Sequence, residues 1–76
     1  MNGMALHHTV IHDGRHLRAR ILCDVWLYTE SPYRISRGDV VARMHGLGEP
    51  PTYYVVEEVL VTNGEYQKFR VARMPA

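Results

Sequence analysis

Hydrophobic and polar residues alternate along much of the chain with a period of two. The clearest stretch follows Gly14, where Leu17, Ala19 and Ile21 alternate with charged residues. A period of two predicts β-strands that bury one face and expose the other. Because no window of a dozen residues has the 3.6-residue period of a helix, the pattern predicts an all-β protein.

Glycine and proline residues divide this pattern into five predicted strands. They cover residues 6–12, 15–28, 40–45, 53–61 and 66–74. Most strands have about 5–6 residues, so the second one is unusually long. We therefore expect a bend or bulge near residues 22–24, which could reverse the alternation beyond it.

Two dipeptides, Asp13–Gly14 and Asn63–Gly64, predict tight hairpin turns because both tolerate positive φ angles. The second turn would set Glu57 opposite Arg70, a favourable pair of opposite charges. Two such hairpins and a linking strand predict a small barrel or sandwich of five to six mostly antiparallel strands. We expect a single small β domain over residues 1–76, with residues 1–5 disordered.

The composition excludes several classes of protein. A single cysteine rules out an intrachain disulfide bond and is typical of a reducing compartment. The net charge of +1 is too small for a strongly polyanion-binding domain. The chain has neither the apolar run of a signal peptide nor the roughly 20 apolar residues of a membrane helix. We expect a soluble intracellular protein with no membrane contact.

Four of the five histidines lie within residues 7–16, which raises the question of a metal site. A two-residue turn sets His12 opposite Arg15, so that His12 and His16 point to opposite faces and cannot share a zinc ion. A three-residue turn would set His12 opposite His16 as two converging ligands. We favour the first register because it keeps apolar residues on one face, and we predict no cofactor.

Catalytic residues are not evident. Cys23 belongs to an alternating apolar set, which predicts a small buried residue and not a reactive thiol. Glu57 and Glu58 are neighbours on a strand, so they should face opposite sides and not act as an acid–base pair. The common nucleophile, phosphate-binding and zinc-protease motifs do not occur. We predict that the protein is not an enzyme.

Aromatic residues are the better candidates for function. Trp26 and Tyr28 alternate with the apolar set, so either a second layer covers them or they form an interface. Adjacent Tyr53 and Tyr54 cannot both point inward. A basic stripe beside Trp26 and Tyr28 could bind single-stranded nucleic acid, although the low net charge argues against strong phosphate binding. Its residues would be Arg15, Arg18, Arg20 and Arg34.

Two long connections, around residues 30–39 and 45–52, should also carry contacts, since loops of this length often do. The predicted interface residues combine the aromatic positions with these loops. They are Trp26, Tyr28, Tyr33, Arg34, His45, Leu47, Glu49, Tyr53 and Tyr54.

Three segments resemble a known family. They are "IHDGRHLRARILCDVWL", "SRGDVVARM" and "YYVVEEVLVTNGEYQKFRVARM". Their hairpin, Gly-Asp-Val opening, Tyr-x-Val strand and Asn-Gly turn are similar to small head–tail joining proteins of tailed bacteriophages, over residues 10–74. The Gly-Asp-Val and Tyr-x-Val elements are also similar to SH3-like and KOW-like barrels.

The first resemblance implies a structural protein of the virion that assembles by protein–protein contact. Its partners would be portal and tail components, with a ring of copies in the assembled particle. The protein would then be found in the cytoplasm of a bacterial host or in the virion. The second resemblance implies a binding module for protein or nucleic acid, such as a phage-encoded inhibitor of a host factor.

Overall fold

The computed structural model describes residues 8–30 and 33–75, and the all-β prediction is confirmed. The described residues form six strands and no helix. They are β1 (His8–His12), β2 (Arg15–Leu22), β3 (Trp26–Glu30), β4 (Val40–Met44), β5 (Thr52–Thr62) and β6 (Tyr66–Arg73). The prediction of disorder at the N-terminus lies outside the described residues, as does the predicted start of the first strand.

The strands close into a barrel with the order β1-β2-β3-β6-β5-β4, in which every pairing is antiparallel. The chain makes two three-stranded meanders, β1–β2–β3 and β4–β5–β6. These meanders join twice, through β3 with β6 and through β1 with β4. Each of the six strands therefore has a neighbour on both sides, so none is an edge along its whole length, although β5 beyond Val56 pairs with β6 alone.

The core forms because alternate residues of all six strands point into the barrel. Phe69, Leu27, Val41 and Val10 are fully buried at its centre, and Ile35 from the β3–β4 loop covers one end. Among the described residues, the buried hydrophobic ones are Val10, Leu17, Ala19, Ile21, Leu27, Ile35, Val41, Tyr54, Val56, Phe69 and Val71.

The first hairpin has the two-residue register that the sequence favoured. His12 pairs with Arg15 and Ile11 with His16, across a turn in which Asp13 and Gly14 have φ angles of 52° and 74°. Two successive positive φ angles are typical of the type I′ turn, whose twist matches that of the flanking strands. His12 and His16 therefore lie on opposite faces of the sheet.

The predicted long strand is instead two strands joined by a tight turn. The amide of Val25 donates to the carbonyl of Leu22 (3.1 Å), and Cys23 and Asp24 both have φ angles of 57°. The predicted bend near residues 22–24 is thus a full reversal of the chain. Cys23 lies at its tip and is exposed, so the prediction of a buried cysteine is wrong.

The turn between β5 and β6 lies one residue later than predicted. The amide of Asn63 donates to the carbonyl of Tyr66 (3.2 Å), which makes Gly64 and Glu65 the turn residues. The Asn63 side chain sets this position, because its Oδ1 accepts hydrogen bonds from the amides of Glu65 (2.8 Å) and Tyr66 (3.0 Å). Val61 consequently pairs with Lys68.

The prediction that Glu57 pairs with Arg70 is wrong, because β5 contains two irregularities. The register shifts between Val56 and Glu58 and again between Val59 and Val61, so it is Glu58 that pairs with Arg70. Glu57 is the extra residue of the first bulge. Both carboxylates reach the same guanidinium, at 3.4 Å for Glu57 and 3.0 Å for Glu58, so the prediction that they face opposite sides is wrong.

Substitutions at Cys23 test the left-handed conformation of this turn. Left-handed backbone costs most L-residues about 1–2 kcal/mol, but asparagine adopts it readily. We expect Cys23→Asn to raise the free energy of unfolding by about 0.5–1 kcal/mol, measured by urea denaturation. Cys23→Ala is the control and should change it by less than about 0.5 kcal/mol. Equal effects of the two substitutions would contradict the turn conformation.

Candidate functional site

The outer surface of the barrel has two faces with different chemistry. We call the first the uncharged face, because the described side chains that point outward from β1, β4, the first half of β5 and the end of β6 carry no charge. Its members are Thr9, Ile11, Val40, Ala42, Met44, Tyr53, Val55, Ala72 and Met74.

The strand registers make the uncharged face continuous. Ala42 lies between Ile11 of β1 and Tyr53 of β5, and Val55 lies between Val40 of β4 and Ala72 of β6. Met74 extends this surface beyond β6, since its amide donates to the carbonyl of Tyr53 (2.8 Å).

Of the eight large hydrophobic residues that are strongly exposed in the described part of the chain, four lie on the uncharged face. The exposed fraction is 48% for Tyr53, 44% for Val40, 39% for Met44 and 38% for Met74. Single exposed apolar residues are common, but several on one uninterrupted surface are typical of a contact with another molecule. The sequence predicted only Tyr53 of this group.

We call the second surface the basic aromatic face. It comprises the outward side chains of β2, β3 and the first part of β6. They are His16, Arg18, Arg20, Leu22, Trp26, Tyr28, Glu30, Tyr66, Lys68 and Arg70. This face carries four of the nine Lys and Arg residues but one of the eight Asp and Glu residues. The stripe of arginines beside Trp26 and Tyr28 is therefore present in part, through Arg18 and Arg20.

Contacts on the basic aromatic face hold its side chains in place. Lys68 Nζ lies 4.7 Å from the ring centre of Trp26 and 5.5 Å from that of Tyr28, both within the range of a cation–π interaction. Arg18 Nε lies 3.5 Å from Glu30 Oε2 at one corner of the face. Trp26 and Tyr28 are partly exposed, so no second layer of the described chain covers them.

The prediction that Tyr54 is an interface residue is wrong. It is 1% exposed and belongs to the core, while Tyr53 points outward. The Tyr54 hydroxyl donates to Asp24 Oδ1 (2.6 Å), and this contact links β5 to the turn between β2 and β3. Burial first, and then the Asp24 carboxylate, raise the pKa of Tyr54 above its ordinary value.

Tyr33 and Arg34 belong to the loop that covers one end of the barrel. Tyr33 is partly buried, and its amide donates to Gln67 Oε1 (2.9 Å) while its hydroxyl accepts from the amide of Arg18 (3.3 Å). Arg34 is exposed and lines a shallow depression of about 380 Å³. Tyr33 thus supports the fold, and Arg34 remains available at the surface.

His45, Leu47 and Glu49 are exposed in the loop between β4 and β5, as predicted. The amide of Glu49 donates to the carbonyl of Gly46 (3.1 Å), and Gly48 supplies the positive φ angle of 81° that this turn requires. Leu47 lies at the tip with its side chain in solvent.

The base of this loop is closed by a side-chain contact. His45 Nε2 lies 2.7 Å from Thr52 Oγ1, which connects the end of β4 to the start of β5.

The predicted interface residues that remain exposed occupy separate places on the barrel and do not form one patch.

His12 does not meet His16 but contacts Asp39. His12 Nε2 lies 2.9 Å from Asp39 Oδ2, which also accepts a hydrogen bond from the amide of Ser36 (2.9 Å). The Ser36 amide first, and then His12, lower the pKa of Asp39. This contact fastens the β3–β4 loop to β1. Within residues 8–30 and 33–75, no group of three or more His, Cys, Asp or Glu residues is placed to hold a metal ion.

The opposite end of the barrel contains a histidine with an unusual partner. His8 Nδ1 accepts a hydrogen bond from the amide of Ile21 (2.9 Å) and must be unprotonated to do so. Burial, followed by the charges of Arg43 and Arg20, lowers the pKa of His8 from its ordinary value of 6.5. The sequence did not indicate this role.

This arrangement predicts a loss of stability in acid. Because the pKa of His8 is lower in the folded protein, the unfolded chain binds the proton more tightly. The stabilisation is therefore complete above about pH 6.5 and declines as the pH falls below it. We expect His8→Asn, whose side-chain oxygen can accept from Ile21, to reduce this decline in urea denaturation between about pH 7 and 5.

His16→Asn is the matched control, because His16 is exposed at the surface of β2. It removes an imidazole but keeps the contact of His8 with the Ile21 amide, so an effect confined to His8→Asn reports on that contact. If His8→Asn and the unmodified protein have parallel profiles, His8 is not the titrating group.

Comparisons with known proteins do not assign the chain to a family. No protein-family model, no curated protein and no solved structure matches it. The described part of the chain contains no helix that is long and apolar enough to cross a membrane.

Proposed function

We propose that this protein is a non-enzymatic assembly component that binds another protein through the uncharged face. The observation that carries the proposal is the continuity of this face, with Val40, Met44, Tyr53 and Met74 all strongly exposed. Burying such a surface is favourable by roughly 25 cal/mol per Å² of apolar area. Because the face has no charged side chain among the described residues, its contact would require no desolvation of charge.

The closed barrel narrows the ways in which a partner can bind. Proteins often recognise an extended segment by adding it to a free sheet edge. Each described strand has a neighbour on both sides, although an added segment could pair without breaking the barrel at β5 beyond Val56, which pairs with β6 alone. At the uncharged face, β1, β4 and the first half of β5 are paired on both sides, so recognition there uses outward side chains together with the loops.

The loop between β4 and β5 is the natural extension of this surface. It follows Met44 directly, and its turn presents the exposed side chain of Leu47. A hydrophobic side chain at the tip of a well-formed turn can enter a pocket on a partner at little cost in loop ordering.

The specific form that we propose is head–tail joining in a tailed bacteriophage. It rests on the sequence resemblance over residues 10–74 and on the suitability of a small barrel with an uncharged face for permanent contacts. The partner would then be a portal or tail component. Copies of the chain could also contact one another around a ring, each through two different patches.

Site-specific cross-linking would test the proposal. A photoreactive amino acid replacing Tyr53, which is exposed within the uncharged face, should yield one discrete adduct in the native host. The same group at Thr62, exposed at the far end of β5, is the control and should yield none. Mass spectrometry would identify the adduct, and a portal or tail protein would support the head–tail role.

Ala42→Glu would test the face itself, since Ala42 lies at its centre between Ile11 and Tyr53. The outward carboxylate should change the free energy of unfolding by less than about 0.5 kcal/mol. It should weaken binding of the identified partner at least tenfold, which corresponds to about 1.4 kcal/mol. Equal adducts at Tyr53 and Thr62, or unchanged binding by Ala42→Glu, would contradict the proposal.

A further inference from the structure

The basic aromatic face is not explained by the proposed assembly role. It covers β2, β3 and the first part of β6, whereas the uncharged face covers β1, β4 and the start of β5. Its three aromatic rings, Trp26, Tyr28 and Tyr66, all point away from the core. Sheet surfaces that expose two or three aromatic side chains are one of the means by which proteins bind unpaired bases.

The positions of the aromatic residues suit a linear ligand. Trp26 and Tyr28 are two residues apart on β3, which places them on the same face about 6.6 Å apart at roughly 3.3 Å per residue. Cations lie on both sides of this pair, because Arg20 of β2 and Lys68 of β6 are both paired with Tyr28. Leu22 borders Trp26 on the β2 side and adds apolar area.

The charges on this face favour an anionic ligand. Arg18, Arg20, Lys68 and Arg70 lie on it, and Glu30 is its one acidic residue, so the face has a net charge of about +3 although the whole chain has +1. Glu57 and Glu58 at its border contact Arg70. Arg20 and Lys68, which flank the rings, are therefore the cations best placed to meet phosphates.

We propose that the basic aromatic face binds a single strand of nucleic acid. Bases stack on Trp26 and Tyr28, and phosphates contact Arg20 on one side and Lys68 on the other. The Lys68 ammonium, which lies over both rings in the free protein, moves to a phosphate as a base takes its place. Recognition of this kind depends on stacking and charge and has little preference for base sequence.

Trp26 provides a direct measure of stacking because it is the one tryptophan of the chain. Titration with an oligothymidylate of about 12 nucleotides, within the roughly 4–16 that small barrels cover, should quench its fluorescence. The logarithm of the association constant should fall with the logarithm of salt concentration at a slope no steeper than about −3, since four cations each contribute about −0.7. The same titration with an oligouridylate of equal length compares the affinity for RNA with that for DNA.

Two pairs of variants distinguish binding at this face from non-specific electrostatic attraction. Binding is measured by the fluorescence anisotropy of a labelled oligonucleotide. Arg20→Glu should weaken binding at least tenfold, whereas Arg37→Glu, the same change of charge in the exposed β3–β4 loop, should weaken it less than threefold. Tyr28→Ala should weaken it at least fivefold, and Tyr53→Ala on the uncharged face should have no effect.

Three results would overturn the proposal. They are the absence of quenching at high micromolar oligonucleotide, equal losses for Arg20→Glu and Arg37→Glu, and binding of a duplex as tightly as of a single strand. The comparison of Arg20→Glu with Arg37→Glu does not depend on the stability of the Tyr28 variant, and neither arginine belongs to the buried core. Failure here would leave the assembly role intact, since that role uses the other face.

Discussion

The structure depends on the closure of the barrel through the β1–β4 and β3–β6 pairings. Each of these pairings joins strands from different meanders, and together they give every described strand two neighbours. Closure is what allows Val10, Val41, Leu27 and Phe69 to meet in one core. A chain of this length buries a modest apolar volume, so its stability depends on the inward-pointing side chains of every strand.

Closure also determines where function can lie. Where the strands of a closed barrel are paired on both sides, their inward side chains pack in the core and their backbone donors and acceptors are hydrogen-bonded to neighbouring strands. The outward rows, the turns and the loops remain. The two outward surfaces differ in chemistry because strands that are neighbours in space carry similar outward residues, with Ile11, Ala42 and Tyr53 on one side and Arg20, Tyr28 and Lys68 on the other.

The sequence predicted those features that depend on neighbouring residues. The Asp13–Gly14 turn, its register and the all-β class follow from local propensity and from the period of two. At Cys23 and Asp24 the sequence predicts only a bend and not a reversal, because neither residue is the glycine or asparagine that usually marks such a turn. Odd-numbered residues also point inward on both sides of it, so the alternation does not change.

The candidate faces were harder to predict because they depend on the order of strands. Alternation showed that Tyr53 and Tyr54 must point in opposite directions, but it could not show which one is buried. The row from Ile11 through Ala42 to Tyr53 joins three separate segments of the chain and exists only once β4 lies between β1 and β5. The bulges in β5 likewise reflect long-range pairing, which no local signal near Glu57 reveals.

The bulges give β5 two different roles along its length. Up to Val56 the strand alternates regularly, buries Tyr54 and Val56, and contributes Tyr53 and Val55 to the uncharged face. Beyond the first bulge it no longer pairs with β4, and its side chains are mostly exposed. Glu57 and Glu58 fall at this change and hold Arg70 at the border of the basic aromatic face. On the β5 side of the barrel this irregularity therefore separates the two surfaces, because it ends the uncharged row at the point where the charged contacts begin.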